Sequence, residues 1–366
     1  MKTCVFHCPR DANETREKLR KRIFRNRYSR AVFRFSPSDC HAHLLDVQRD
    51  QRRQRTSGAL RAELQRLLGW DRLPAKPPPL DATSIWIRSH ALGTIERIVF
   101  TAEEGAHVPA YVCLPKERPR GFVICLQGHS SGMHNSIGVA ADDETKPITV
   151  EGGRDFALGC LANGFGALCI EQRSLGERAE RNQSRTNKYN PCHDAAMRAL
   201  MLGRTLLGER VYDVARGIEL LTTRFDGDLG TLGVMGNSGG GTVAMYAAAL
   251  FDRIDFAILS CCFSTFRDSI LSIYHCTDNY VPGLYAIADM PDVLGLMAPR
   301  PVLVVSGRED PIFPHEGTAR AFAALERIYE AAGAGDRCRW LVGEGGHRFY
   351  PEEAWPIALE LLSRRP

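Results

Sequence analysis

From residue 122 onward the chain alternates short, wholly apolar runs with segments long enough to be helices, and this alternation constrains the fold more than any other feature. The runs fall at residues 122–126, 167–170, 231–235, 256–260, 302–305 and 340–342. Strands that are apolar on both faces must be covered on both faces, which is the condition of a mostly parallel sheet between layers of helices. The segments at 155–163, 211–223, 240–250, 317–332 and 352–362 carry apolar residues three or four apart, the period of one helix face. Three earlier runs at 84–87, 95–101 and 110–114, with a turn at Gly105 between the last two, predict an antiparallel start. The expected class is α/β, with a doubly wound, mostly parallel sheet.

The front of the chain is different. Residues 12–70 are rich in Arg, Leu and Ala, and Leu60, Leu64, Leu67 and Leu68 recur at helical spacing before the chain breaks at Pro74 and at Pro77, Pro78 and Pro79. This predicts a helical arm over residues 1–80 and one large domain over residues 81–366. Residues 1–66 hold 17 Lys/Arg against 7 Asp/Glu, although the whole chain carries only +4, so the remainder is net negative. Phe24, Tyr28, Phe33 and Phe35 accompany the charge but form no nucleic-acid module. The arm is expected to cover the large domain or a second copy of the chain, giving a homo-oligomer, with no nucleic-acid partner.

Composition excludes several classes. At 44% hydrophobic and 25% charged residues the chain has enough material for a core, so wholesale disorder is ruled out. No apolar run approaches a membrane span, and the stretch through Val5 and Phe6 is too short and polar for a secretory segment, so a cytoplasmic protein without membrane contact is expected. The 12 cysteines follow no repeating spacing, and Cys113, Cys125, Cys169 and Cys261 sit within or beside apolar runs, as buried free thiols do. Cys40, His41 and His43 lack a fourth ligand nearby, so no metal is expected.

Gly236, Asn237, Ser238, Gly239 and Gly240 read as GxSxG, in which a serine occupies a sharp strand-to-helix turn. The same pattern occurs at Gly128, His129, Ser130, Ser131 and Gly132, but only Ser238 follows an apolar run and opens a helical one. A serine hydroxyl needs a base to take its proton, and the base needs a carboxylate to orient it. His347, after two glycines and the last apolar run, is the expected base. Asp310, in the loop after the run at 302–305, is the expected acid, with Glu309 beside it as rival. The backbone N–H groups of Gly239 and His129 are the expected oxyanion donors; whether the His129 imidazole touches substrate is left open.

The stretches Gln127 to Gly132, Gly236 to Gly240, the loop ending at Asp310, and Gly346, His347, Arg348 and Phe349 resemble the dienelactone hydrolase and acetyl xylan esterase branch of the α/β-hydrolases over about residues 83–366. The run from Pro299 through Pro314 is especially similar. Gln127 stands where a His-Gly pair is common, and Asn237 and Gly239 replace the residues usual in acetyl xylan esterases. The resemblance implies a broad set of activities, namely deacetylation of sugars, lactone opening and hydrolysis of short acyl esters; the reading adopted is a Ser-His-Asp esterase on short acyl esters of a small molecule, and the triad with its two amides needs no cofactor. A serine where dienelactone hydrolase has cysteine argues against that reaction itself. Peptidase or lactonase chemistry, or a non-catalytic ligand-binding homologue, are the alternatives. Substrate selection is expected from loops at 133–150, 173–192 and 263–285, with Arg173, Glu177, His275 and Tyr280 as candidate contacts; Arg173 and Glu177 read equally as a structural ion pair, and His275 and Tyr280 as core.

Overall fold

Thr56 caps a helix of the large domain by accepting a hydrogen bond from Ala59 N at 3.3 Å, a serine/threonine-type cap that satisfies one orphan donor of the helix it starts. The computed structural model describes residues 36–52, 55–180 and 191–364, and the chain divides into two compact units, Met1–Asp50 and Gln51–Pro366. In the first, helix α1 (Pro37–Gln51) has Asp39 in its first turn and Arg49 in its last and buries none of its side chains. The second holds every residue predicted to do chemistry.

The capped helix is α2 (Ser57–Leu67), and its Leu60 and Leu64 are buried together with Leu68 in the same apolar cluster as Ile98, Ile124, Val234 and Leu259. Arg61 ties it down by donating to the Ala249 carbonyl at 3.1 Å. The expected boundary at residue 80 is therefore corrected: the compact unit begins at Gln51, because the leucine stripe of α2 can leave water only against the helices of the main domain. The proline segment is no free linker either. Pro74 and Pro78 carbonyls accept from Tyr212 Oη at 3.3 Å and Arg216 Nη2 at 2.6 Å.

Nine strands follow: β1 (Thr83–His90), β2 (Gly93–Glu103), β3 (Ala106–Pro115), β4 (Gly121–Leu126), β5 (Gly166–Ile170), β6 (Thr231–Asn237), β7 (Phe256–Ser260), β8 (Val302–Gly307) and β9 (Cys338–Gly343). They form one sheet in the order β1-β2-β3-β5-β4-β6-β7-β8-β9. β1, β2, β3 and β5 pair antiparallel, and every pairing from β5 through β4 to β9 is parallel. Each predicted apolar run lies in a strand. β2 and β3 extend beyond theirs because a hairpin ladder from Gly93↔Pro115 to Glu103↔Ala106 pairs them almost end to end.

The helices of the sheet are α3 (Phe156–Ala162), α4 (His193–Met201), α5 (Leu206–Arg224), α6 (Gly239–Leu250), α7 (Met290–Gly295), α8 (His315–Ala331) and α9 (Pro351–Ser363). Alternate strand residues face opposite layers: Ile124 and Leu126 join the cluster with α2, α5, α6, α7 and α8, whereas Val123 and Cys125 join that with α3 and α9. The sheet is covered on both sides. α4 and α7 were not anticipated; α4 buries only Ala196 and Ala199, too few for a readable period, although Asp289 and Asp292 form a capping box at α7. None of the ten described cysteines forms a disulfide. No helix among the described residues is long and apolar enough to cross a membrane.

Candidate active site

Parallel strands in register bring their carboxyl ends, and the loops that follow, to one edge of a sheet. Leu126 is paired with Gly236, Asn237 with Ser260, Ser260 with Val305, and Ser306 with Val342. The loops after β4, β6, β8 and β9 therefore start side by side, and they carry His129, Ser238, Asp310 and His347 respectively.

Ser238 links β6 directly to α6 at φ +55° and ψ −126°, a sparsely populated conformation whose cost is about 1–3 kcal/mol and must be held by its surroundings. Its N–H donates to the Ser260 carbonyl at 2.9 Å, and its carbonyl accepts from Thr242 N at 2.8 Å. The turn is so tight that a Cβ on Gly236 would lie 2.4 Å from the Gly240 carbonyl carbon, and one on Gly240 would lie 2.1 Å from the Leu126 oxygen. Ser130 sits in an exposed turn at positive φ with no such strand-to-helix passage.

Asp310 is withdrawn from solvent, and its Oδ2 lies 2.8 Å from His347 Nδ1. Its Oδ1 accepts from Ile312 N at 2.8 Å and Phe313 N at 3.1 Å. Burial alone would raise this carboxyl, but the hydrogen bond and charge of His347, with the two N–H groups, hold it below its ordinary value. Glu309, the rival acid, is exposed, and its N–H is bonded to Gly345 O at 2.9 Å. The Phe313 ring stacks on His347 with 6.1 Å between centroids. Arg348 anchors the loop: its carbonyl accepts from Ser260 Oγ at 3.4 Å and Cys261 Sγ at 3.3 Å, next to the partner of Ser238. Burial and then Asp310 push the Cys261 thiol up to about 12.

On the other side of Ser238, a Cβ on Gly128 would meet Ser238 Cβ at 3.0 Å. The β4 loop is thus packed against the serine, held by Gln127 Nε2, which donates to Ser136 Oγ at 2.8 Å and Arg154 O at 2.7 Å. Neither the His129 nor the Gly239 N–H donates to another group among the described residues.

The four candidate substrate contacts fare differently. Arg173 is engaged by Asp213 at 2.8 and 3.0 Å, by Glu103 at 2.8 Å and by Glu209 at 3.3 Å, the ion-pair environment of its alternative reading. Glu177 pairs not with Arg173 but with Arg97, from which its Oε2 accepts at 2.6 Å. His275 packs edge-on against Phe313, the ring that stacks on His347, and its Nδ1 is 3.2 Å from Asn279 Nδ2. Tyr280 donates to the Ile270 carbonyl at 2.9 Å and lines an apolar cleft of about 200 Å³ with Phe266, Pro282 and Tyr285. A separate cleft of about 270 Å³ is lined by Glu151, Arg154, His347 and Arg348. A larger one, about 410 Å³ beside Arg52 and Leu296, includes none of these residues.

Asp278, Arg210 and Cys192, which carry no sequence signal, meet at His129. The ligand-type atoms of His129, Cys192, Cys276 and Asp278 lie within 4.8 Å of one another, a donor set of the kind that holds zinc. Arg210 already bridges two of them, to Asp278 and, at 3.2 Å, to Cys192 Sγ, and a guanidinium there repels a cation.

The same architecture recurs in solved esterase structures. A structure described as a putative acetyl xylan esterase from Bacteroides fragilis matches with TM-score 0.68 at 15% identity, covering 90% of this chain and 86% of that one. The fold is that of the α/β-hydrolases. A glucuronoyl esterase of Solibacter usitatus superposes on this chain with TM-score 0.56 at 18% identity over 83% and 91% of the two chains. Acetyl xylan esterase 1 of Thermoanaerobacterium sp. does so with TM-score 0.53 at 17% identity over 87% and 98%. In sequence, the Bacillus subtilis (strain 168) protein described as "Putative hydrolase YtaP" is 27% identical over 297 residues, 78% of this chain and 92% of its own length. No protein-family model matches the chain.

Proposed function

We propose that this α/β-hydrolase is a serine carboxylic-ester hydrolase acting on short acyl esters of a small molecule. The observation that carries the reading is the pairing of buried Asp310 with His347, whose loop is anchored beside the strained turn of Ser238. Similarity to acetyl xylan esterases supports the preference for short acyl groups.

Ser238 Oγ attacks the ester carbonyl carbon while His347 Nε2 takes its proton. Asp310 accepts the Nδ1 proton of His347, which fixes the tautomer and favours the imidazolium formed in that step. The negative charge that grows on the carbonyl oxygen is met by the free N–H groups of His129 and Gly239, which strengthen as charge develops and so lower the barrier. His347 then protonates the departing alcohol, leaving an acyl-Ser238. Water repeats the sequence with His347 as base and releases the acid. No step calls for a cofactor.

A peptidase or lactonase would use the same groups, and a non-catalytic homologue would have lost one. A panel of p-nitrophenyl esters and sugar acetates separates these readings. Ser238→Ala should remove turnover, by roughly 10⁶-fold on the scale seen in another triad enzyme, with the circular dichroism unchanged. A folded Ser238→Ala protein that still hydrolyses esters, or a dead Ser130→Ala, would sink the assignment.

A further inference from the structure

The His129 imidazole is held by residues far away in sequence. Its Nε2 lies 2.8 Å from Asp278 Oδ2, and that same oxygen receives Arg210 Nη1. Arg210 is in turn fixed by the Arg173 carbonyl at 2.7 and 2.9 Å and by Cys192 Sγ at 3.2 Å. The Arg210 and Asp278 side chains are 1% and 2% exposed, whereas that of His129 is 19% exposed. A buried ion pair is poor grounds for stability, because desolvation offsets the attraction. What this one supplies is a fixed acceptor behind a ring that still reaches the site.

The other edge of the ring faces the serine turn. A Cβ on Gly239 would lie 2.7 Å from His129 Cε1 and 2.9 Å from Nδ1. The absence of a side chain at residue 239 is therefore what admits the imidazole, and it does so next to one of the two N–H groups assigned to the oxyanion.

Resting on the reading of Ser238 as nucleophile, we propose that the His129 side chain, as an imidazolium, donates from Nδ1 to the developing oxyanion, with Asp278 and Arg210 as its positioning residues. With Nε2–H committed to Asp278, only the doubly protonated ring has a proton to offer at Nδ1. Burial opposes that charge, but the charge and hydrogen bond of Asp278, aided by Cys192, push His129 up to about 10. The hydrogen bond from Cys276 holds Cys192 down at about 5 and, against burial, Arg210 and His129 add to this; Cys276 itself is pushed up. His275, facing the same space, is lowered by burial. His129 and Arg210 thus lie against the two groups held low, Asp278 and Cys192. A charged donor aimed at an atom that becomes negative only in the transition state raises kcat and leaves KM nearly alone.

The test follows hydrolysis of phenyl acetate by the full-length protein from pH 6 to 10.5. The wild type should lose kcat as pH rises through about 10, where His129 gives up its proton. His129→Gln should lower kcat by about 10²-fold at pH 7.5, the scale of one oxyanion donor, with KM little changed and the alkaline decline gone. Its affinity for phenylboronic acid should fall in parallel with kcat. Asp278→Asn, which keeps the ring but withdraws its carboxylate, should move the decline to lower pH. A wild-type profile with no decline near pH 10 overturns the proposal without any variant, as does a folded His129→Gln protein of undiminished kcat. Ser238→Ala separates the two levels: if it is dead while His129→Gln is unimpaired, only the role of the imidazole fails, whereas an active Ser238→Ala removes the nucleophile as well.

Discussion

His347 Nδ1 and Asp310 Oδ2 lie 2.8 Å apart, and the second oxygen of that carboxylate is fixed by two backbone N–H groups. Asp310 therefore has one geometry in which to accept the hydrogen bond from Nδ1–H, and that bond leaves His347 Nε2 as the nitrogen that takes a proton.

Replacing that carboxylate by an amide should leave the fold and break the tautomer. Asp310→Asn is expected to lower kcat by roughly 10⁴, as the same change does in another triad enzyme, with substrate binding much less affected. Glu309→Gln, at an exposed side chain, should keep near wild-type rates. The reverse order of effects in steady-state kinetics would exchange their roles.

Arg173 should behave as a structural residue. It neutralises Asp213, whose carboxyl is held low by the Arg178 and Arg173 charges in spite of burial. Arg173→Ala leaves that acid with one partner fewer, and breaking a buried pair costs about 3–5 kcal/mol. Urea unfolding should show the loss, while KM of the folded fraction should not move. A rise in KM at unchanged stability would restore Arg173 to the substrate site.

Glu171 gives the fold a pH dependence of known sign. Burial pushes its carboxyl up to about 7, against the Glu177 and Met133 N–H groups that bond to it. The folded state thus holds the proton more tightly than the unfolded chain, whose glutamate titrates at its ordinary 4.5. Its contribution is fully present below pH 4.5, is lost as pH rises to 7, and is level above that. The stability of the wild type relative to Glu171→Gln should fall across that window in urea titrations. A pH-independent difference would refute the placement of the charge.

The two ends of the front segment should respond differently to mutation. Leu64→Ala removes a fully buried side chain and should cost about 2–5 kcal/mol, read by thermal or urea unfolding. Residues 1–50 carry much of the basic excess, and residues 1–35 lie outside the described structure. They are expected to cover the large domain or a second copy of the chain, so deleting 1–50 should lower solubility or change the mass measured by light scattering before it changes the chemistry on a small ester. An unchanged mass with loss of salt-sensitive RNA or DNA binding would assign the segment to nucleic acid instead.

The sequence by itself determined the nine strands, the helices with a clear apolar period, and the Ser238 turn, because each is a property of neighbours: period two or 3.6, and glycines where a turn crowds its own backbone. It also ordered Ser238, Asp310 and His347 along the chain. Only the tertiary structure sets Asp310 rather than Glu309 against His347, since that depends on which side chain is buried beside the imidazole. It alone assigned α2 to the main domain, turned Arg173 and Glu177 into ion pairs, and set Asp278 against His129 and Arg210, which stand 149 and 68 positions away. Such contacts are fixed by which surfaces the packed sheet and helices bury together, and residues so widely separated leave no mark in any local window of sequence.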